Sequence, residues 1–242
     1  MKKIILTICI LIVTFSELYA QKNINVAVFS KTAGFRHESI ETGIAHFKKW
    51  AKTSNWDIVF SEETSFFSDE NLAFTDVLVF LSTTGDILDE SSKKAIKKYI
   101  NKGGGFVGIH SASDTEYNWP WYYQMIGAQF KSHPKIQQAT LHVNHTSKHP
   151  SIKHFNTTFK VVDEWYNFNA PVLSHVNVLM SLDENSYDGG TMNNKHPIAW
   201  YHFYDGGRVF YTGMGHTNDI FDNPLYEKHI IEAVNWASGT TN

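Results

Sequence analysis

Val77-Leu78-Val79-Phe80-Leu81 is an apolar run without polar alternation, and a strand of that kind must be covered on both faces. The residues around it supply the cover. Upstream, Ile24-Asn25-Val26-Ala27-Val28-Phe29 reads as a buried first strand, and residues 38–52 carry Ile40, Ile44, Phe47 and Ala51 at helical spacing. Asp57 to Phe60 is a second strand, and a short helix is expected near residues 69–73. Downstream, Asp89-Glu90-Ser91-Ser92 opens a helix that runs through Tyr99 and ends at Asn101-Lys102-Gly103, where glycine suits a left-handed cap. Gly104-Gly105-Phe106-Val107-Gly108-Ile109-His110 is the next strand. Strands and helices in alternation predict an α/β fold with a mostly parallel central sheet.

Beyond Asp114 the pattern changes. Asn118-Trp119-Pro120 marks a helix with proline in its first turn, closing near Gly127. Residues 140–143, 160–162 and 176–180 read as strands. Ile198 to Phe203 and Arg208 to Tyr211 form a hairpin across Asp205-Gly206-Gly207. A last amphipathic helix, residues 225–236, turns Ile230, Ile231 and Val234 toward the sheet. No repeat or linker interrupts the chain, so residues 21–242 are expected to form a single domain.

Residues 1–20 join Lys2 and Lys3 to an apolar run and end on Leu18-Tyr19-Ala20, the pattern of a cleaved secretory signal. An uncleaved N-terminal anchor is the alternative. Export to the periplasm or the outside of the cell is the expectation, with no stable membrane span after processing. The chain's one cysteine, Cys9, lies in this leader. A processed chain therefore has no disulfide, thiolate ligand or cysteine nucleophile. Aromatic residues make up 14% of the sequence, and losing Lys2, Lys3 and Glu17 takes the formal net charge from −3 to −4. That mild acidity gives no reason to expect a nucleic-acid partner.

Loops after parallel strands converge on one sheet edge, the usual place for a site. His37 follows the first strand, His110 ends the strand from Gly104, and His216 follows Val209-Phe210-Tyr211. Such imidazoles can move protons near neutral pH or hold a divalent metal, or each can simply fix its own loop. Asp114 in His110-Ser111-Ala112-Ser113-Asp114 is a candidate to orient His110 or a substrate hydroxyl, against a helix-capping role. Ser111 lacks the flanking glycines of a nucleophile elbow. In Asp163-Glu164-Trp165-Tyr166, Glu164 and Tyr166 are the substrate-binding candidates, while Asp163 reads as a turn acid. Trp200 is a further sugar-stacking candidate. Arg36 could clamp a carbonyl or carboxylate, or pair with Glu38 or another acid.

The motifs Gly34-Phe35-Arg36-His37-Glu38-Ser39, Gly104 to His110, and Gly207-Arg208-Val209-Phe210-Tyr211-Thr212-Gly213-Met214-Gly215-His216, in that order, resemble the ThuA-like (trehalose-utilisation-like) family. The resemblance implies a flavodoxin-like, class I glutamine amidotransferase-like three-layer sandwich. It also implies use of trehalose or other disaccharides, often with keto-sugar processing. True amidotransferases carry a catalytic cysteine at the elbow where this chain has His110, so thioester chemistry is not expected. The expected function is processing of a disaccharide, glycoside or keto-glycoside. Catalysis falls to His37, His110, Asp114 and His216, and substrate contacts to Arg36, Glu164, Tyr166 and Trp200. His37, His110 and His216 are the candidate ligands if a divalent metal is used. A non-catalytic sugar-binding protein and a metal-dependent hydrolase of a non-sugar substrate are the alternatives.

Overall fold

The computed structural model describes residues 23–170 and 172–241; the expected leader lies outside them. The chain runs β1 (Ile24–Phe29), α1 (Ser39–Ser54), β2 (Trp56–Ser61), α2 (Asp69–Ala73), β3 (Val77–Leu81), α3 (Glu90–Asn101) and β4 (Gly105–Ile109). It continues with α4 (Pro120–Ile126), β5 (Phe130–Ser132), β6 (Gln137–Val143), β7 (Thr158–Asp163), β8 (Asn167–Phe168) and β9 (Asn177–Leu182). Then come β10 (His196–Tyr204), β11 (Gly207–Thr212), α5 (Asn218–Phe221) and α6 (Pro224–Ala237).

The main sheet has the order β2-β1-β3-β4-β11-β10-β9-β6-β7. From β2 to β11 neighbouring strands are parallel, and from β11 to β7 they are antiparallel. All five residues of β3 and of β4 are buried, because helices cover both faces. Helices α1, α5 and α6 pack together on one side, and α2 and α3 on the other with α4 beside them. This is the three-layer α/β sandwich of flavodoxin-like type. Burying each aliphatic or aromatic side chain of β3 is worth roughly 1.5–3 kcal/mol relative to exposure.

Local chemistry fixes the ends of these elements. The Asp89 carboxylate accepts the Ser92 N–H at 2.7 Å and caps α3. Gly103, just past that helix, has φ +96. A Cβ on Gly105 would collide with the Ala237 carbonyl oxygen, so a side chain there would lift α6 off β4. The β10–β11 hairpin turns on Asp205 and Gly206, with φ 48 and 98, the two positive values of a type I′ turn. A small sheet of β5 and β8 was not legible in the sequence; it sets Phe130 beside the site.

The antiparallel extension does not run straight out from the core. Asp163, at the end of β7, bonds to the loop after β11, four strands away in sheet order. The extension must therefore bend back over the carboxyl edge of the parallel strands.

Two buried imidazoles make the fold acid-sensitive. His149 Nδ1 lies 2.9 Å from Ser151 Oγ, and His229 Nδ1, on α6, donates to the Ser151 carbonyl at 2.9 Å. Burial, and then the neighbouring His229, Lys153 and Arg208, pull His149 down to about 3. Burial pulls His229 down to about 4. Both are neutral when folded, whereas unfolded they titrate near the ordinary 6.5. Protons thus bind the unfolded chain first, and stability is lost as pH falls from about 6.5 toward about 4, by on the order of several kcal/mol in total. Urea midpoints should drop steadily from pH 7 to pH 4.5, with a shallower slope in His229→Leu. A midpoint flat over that range would contradict the assignment.

Candidate functional site

Four chain segments end at one place. His37 follows β1 and is held where its carbonyl accepts the Ile40 N–H of the opening turn of α1, at 3.2 Å. His110 comes directly after β4, and His216 lies on the loop after β11. Glu164 follows β7, carried over the sheet edge by the bent extension. One ligand atom from each of His37, His110, Glu164 and His216 lies within 4.8 Å of the others.

His110 occupies its position at a conformational cost. Its φ is 50, a left-handed value unfavourable for a residue with Cβ, by on the order of 1 kcal/mol. Its surroundings hold it there. The His110 carbonyl accepts the Tyr211 hydroxyl at 2.8 Å, and Nδ1 lies 2.9 Å from the Gly213 carbonyl. A carbonyl can only accept, so a proton is assigned to Nδ1, and Nε2 faces inward. Nε2 meets His216 Nδ1 at 3.1 Å and Glu164 Oε2 at 3.5 Å. Glu164 Oε2 is also 3.1 Å from His216 Nδ1.

Ring nitrogens and a carboxylate oxygen facing one another need protons or a cation between them. In this structure the His216 Nδ1 proton serves. Burial alone would raise Glu164, but the bonds to His110 and His216 outweigh it and hold the carboxyl down to about 2. Burial would lower His216, yet Glu164 as partner and charge leaves it raised. His37 is pulled down to about 3 by burial and by the two other imidazoles, so it stays neutral.

The supports around these four groups are themselves bonded. Ser111 Oγ is 3.3 Å from His37 Nδ1, and Tyr166 Oη is 3.5 Å from His37 Nε2. His133 Nδ1 lies 2.9 Å from Glu164 Oε1. The Asp163 carboxylate is fully buried and accepts the backbone N–H groups of Gly215 at 2.8 Å, His216 at 3.1 Å, Thr217 at 3.0 Å and Glu164 at 3.0 Å. It thereby fixes both the His216 loop and the start of the Glu164 segment. Burial raises its pKa, and the convergent N–H groups favour the ionised form in return.

The cluster opens into a cavity of about 360 Å³ walled by Phe35, Phe130, Tyr166, His133 and Asp114. Phe130 packs on Tyr166 with ring centroids 4.2 Å apart, and Phe35 stands edge-on to His37 at 5.0 Å. Larger hollows lie against edge strand β2 and beside Lys131 and Lys195. Neither gathers imidazoles and a carboxylate, so the smaller cavity is the chemical one.

The sequence candidates fall into two groups. His37, His110, His216, Glu164, Tyr166 and Asp114 all belong to this site. Asp114 does not touch the His110 ring, whose Nδ1 is taken by Gly213; its carboxylate accepts the Tyr117 hydroxyl at 2.6 Å and faces the cavity. Arg36 and Trp200 are placed elsewhere. Arg36 forms ion pairs with Glu41 at 2.7 Å and Glu62 at 2.8 Å on the outer surface. Trp200 is 0% exposed, stacks on Tyr211 and donates Nε1–H to the Ile126 carbonyl, so it offers no face to a ligand. His133 and Asp163 carry more of the site than their sequence context indicates. A proline after His133 and an acid at a strand end are the only signals.

A family model described as ThuA, trehalose utilisation, matches residues 25–237. Among solved structures, a ThuA-like protein of Bacteroides uniformis ATCC 8492 superposes with a TM-score of 0.77 at 22% identity, over 92% of this chain and 95% of that one. One from Parabacteroides merdae ATCC 43184 does so with a TM-score of 0.76 at 16% identity, over 91% of each. A β-galactosidase from Bacillus circulans sp. alkalophilus matches with a TM-score of 0.58 at 12% identity, over 92% of this chain and 32% of that chain. At these identities the likeness is one of fold. No curated protein matches the sequence.

Proposed function

We propose, since this chain belongs to the ThuA (trehalose utilisation) family, that it is an exported carbohydrate-processing enzyme. Its centre would hold a divalent ion on His37, His110, Glu164 and His216. One observation carries the reading: three imidazoles and one carboxylate, each from a different loop, converge within 4.8 Å. Nitrogen and carboxylate donors suit zinc and its first-row neighbours. The surroundings are those of ligands held in place. His110 donates its Nδ1–H to the Gly213 carbonyl and Glu164 meets His133, as metal ligands do with their outer partners.

A bound ion would polarise a sugar carbonyl or activate water. The protein's own groups do the rest. Phe130, backed by the buried Tyr166 ring, gives an apolar wall for a sugar face, and Asp114 presents a carboxyl to hydroxyl groups at the mouth. With no ion, the His216 proton bridges to Glu164; an entering cation replaces it, so binding weakens as pH falls. A disaccharide, glycoside or keto-glycoside is the proposed substrate class. The family description and the partial likeness in fold to a β-galactosidase support it. Export is proposed from residues 1–20. No described helix is long and apolar enough to cross a membrane.

Dialysis against a chelator, reloading with zinc, manganese, cobalt or nickel, and assay on ordinary and 3-keto disaccharides test this reading. Product should form with the ion and disappear without it. Unchanged turnover after complete removal would eliminate the ion's role. Binding with no product over long incubation would instead establish a sugar-binding protein.

A further inference from the structure

The cavity at the His–Glu cluster does not stand alone. A second hollow of about 320 Å³ adjoins it, lined by Ile136, Glu38, Thr217, Asn218 and Asp219, and the two share Phe35 and His216 as walls. Each lies at the lower end of the size range of small-ligand pockets, about 300–1,000 Å³. Their linings differ. The inner one is aromatic with the His–Glu cluster at its floor; the outer one has an acid-and-amide rim. The outer hollow also gathers exposed apolar surface, since Phe35 is 67% exposed and Ile136 46%. Large apolar side chains left open beside hydrogen-bonding groups form the mixed surface that receives a sugar ring, apolar on its face and polar at its edge.

The rim is built to stay in place. Asn218 Oδ1 accepts the Thr42 hydroxyl at 2.7 Å, which leaves its amide N–H₂ unspent in that bond and ties α5 to α1. Thr217 N–H is fixed on Asp163. His216, which reaches the cluster through Nδ1, and Phe35 lie on the boundary between the hollows.

We propose that the outer hollow is a second sugar subsite, so that the protein takes a disaccharide with one ring in each hollow and the glycosidic linkage at the boundary marked by Phe35 and His216. The inference rests on the carbohydrate reading above and deepens it by naming the substrate's size and the residues that read its second ring. Asn218 and Asp219 contact hydroxyls of the outer ring, and Ile136 and Phe35 contact its apolar face. Neither Asn218 nor Asp219 belongs to the cluster.

Calorimetric titration of the full chain with trehalose, cellobiose, lactose and their 3-keto forms, alongside the matching methyl monoglycosides, tests it. At least one disaccharide should bind about tenfold or more tightly than its methyl monoglycoside, a difference of about 1.4 kcal/mol. The double variant Asn218→Ala, Asp219→Ala should erase that advantage and leave the methyl glycoside's affinity unchanged. Phe35→Ala should weaken both ligands. If disaccharide and methyl glycoside bind alike, or if the double variant weakens both equally, the second subsite is wrong while the carbohydrate reading stands. If none of these sugars binds, both fall.

Discussion

If the proposed function holds, Glu164→Gln should lower turnover by about a thousandfold, which corresponds to about 4 kcal/mol of lost transition-state stabilisation. The substitution keeps shape and polarity and removes the charge. Glu164 Oε2 is 3.1 Å from His216 and 3.5 Å from His110, and Oε1 is 2.9 Å from His133. All three of these partners are imidazoles. Without the charge a cation has only neutral donors to bind, and the raised pKa of His216 comes down, since Glu164 contributes most to raising it. The fold should survive, as measured by circular dichroism and thermal melting. The measurement is kcat on whichever disaccharide the wild type turns over. A variant within about threefold of wild type would mean that the carboxylate is not part of the chemistry.

Asp163→Ala should act through stability as well as activity. The carboxylate is fully buried and takes the N–H groups of Gly215, His216 and Thr217 in one cradle. Leaving a buried donor without a partner costs about 1–3 kcal/mol each. Some of these donors will find water once the loop relaxes, so a loss of on the order of 3–5 kcal/mol is expected. For a domain of this size that lowers Tm by roughly 10 °C. Asp163→Asn retains one acceptor oxygen and should fall between the two. Asp163 also positions His216 without facing the cavity, so the Asn variant should lose metal affinity beyond its loss in stability. Equal melting temperatures for wild type and Asp163→Ala would refute the cradle's importance.

The parallel half of the fold was legible because buried strands and amphipathic helices carry local signals. Val77–Leu81 has no polar face, and Ile40, Phe47 and Ala51 repeat at helical spacing, as their burial bears out. His37, His110 and His216 could be picked out for the same reason, each standing after a strand of that parallel sheet. The antiparallel half hides its contribution. That β7 ends above the loop after β11 depends on the β10–β11 hairpin, which has a local turn signal, and on three further pairings and a bend of the sheet, which have none. Asp163 therefore read as a turn acid and Glu164 as a substrate contact, although the first is buried in a cage of N–H groups and the second bridges the imidazoles. His133 depends on the small β5–β8 sheet, whose strands are too short to announce themselves. Trp200 illustrates the reverse. An aromatic on a strand suits sugar stacking in composition, but its neighbours Tyr211 and Ile126 enclose it.

The most direct measurement is metal binding by the purified, chelator-treated protein, followed by calorimetry and elemental analysis with zinc, manganese, cobalt and nickel, beside Glu164→Gln and His216→Ala. A single tightly held ion per wild-type chain, weakened by about a hundredfold or more in either variant, is the predicted result. No stoichiometric ion on the wild type with any of these metals, or equal binding by wild type and both variants, would show that the four converging side chains do not form a metal centre.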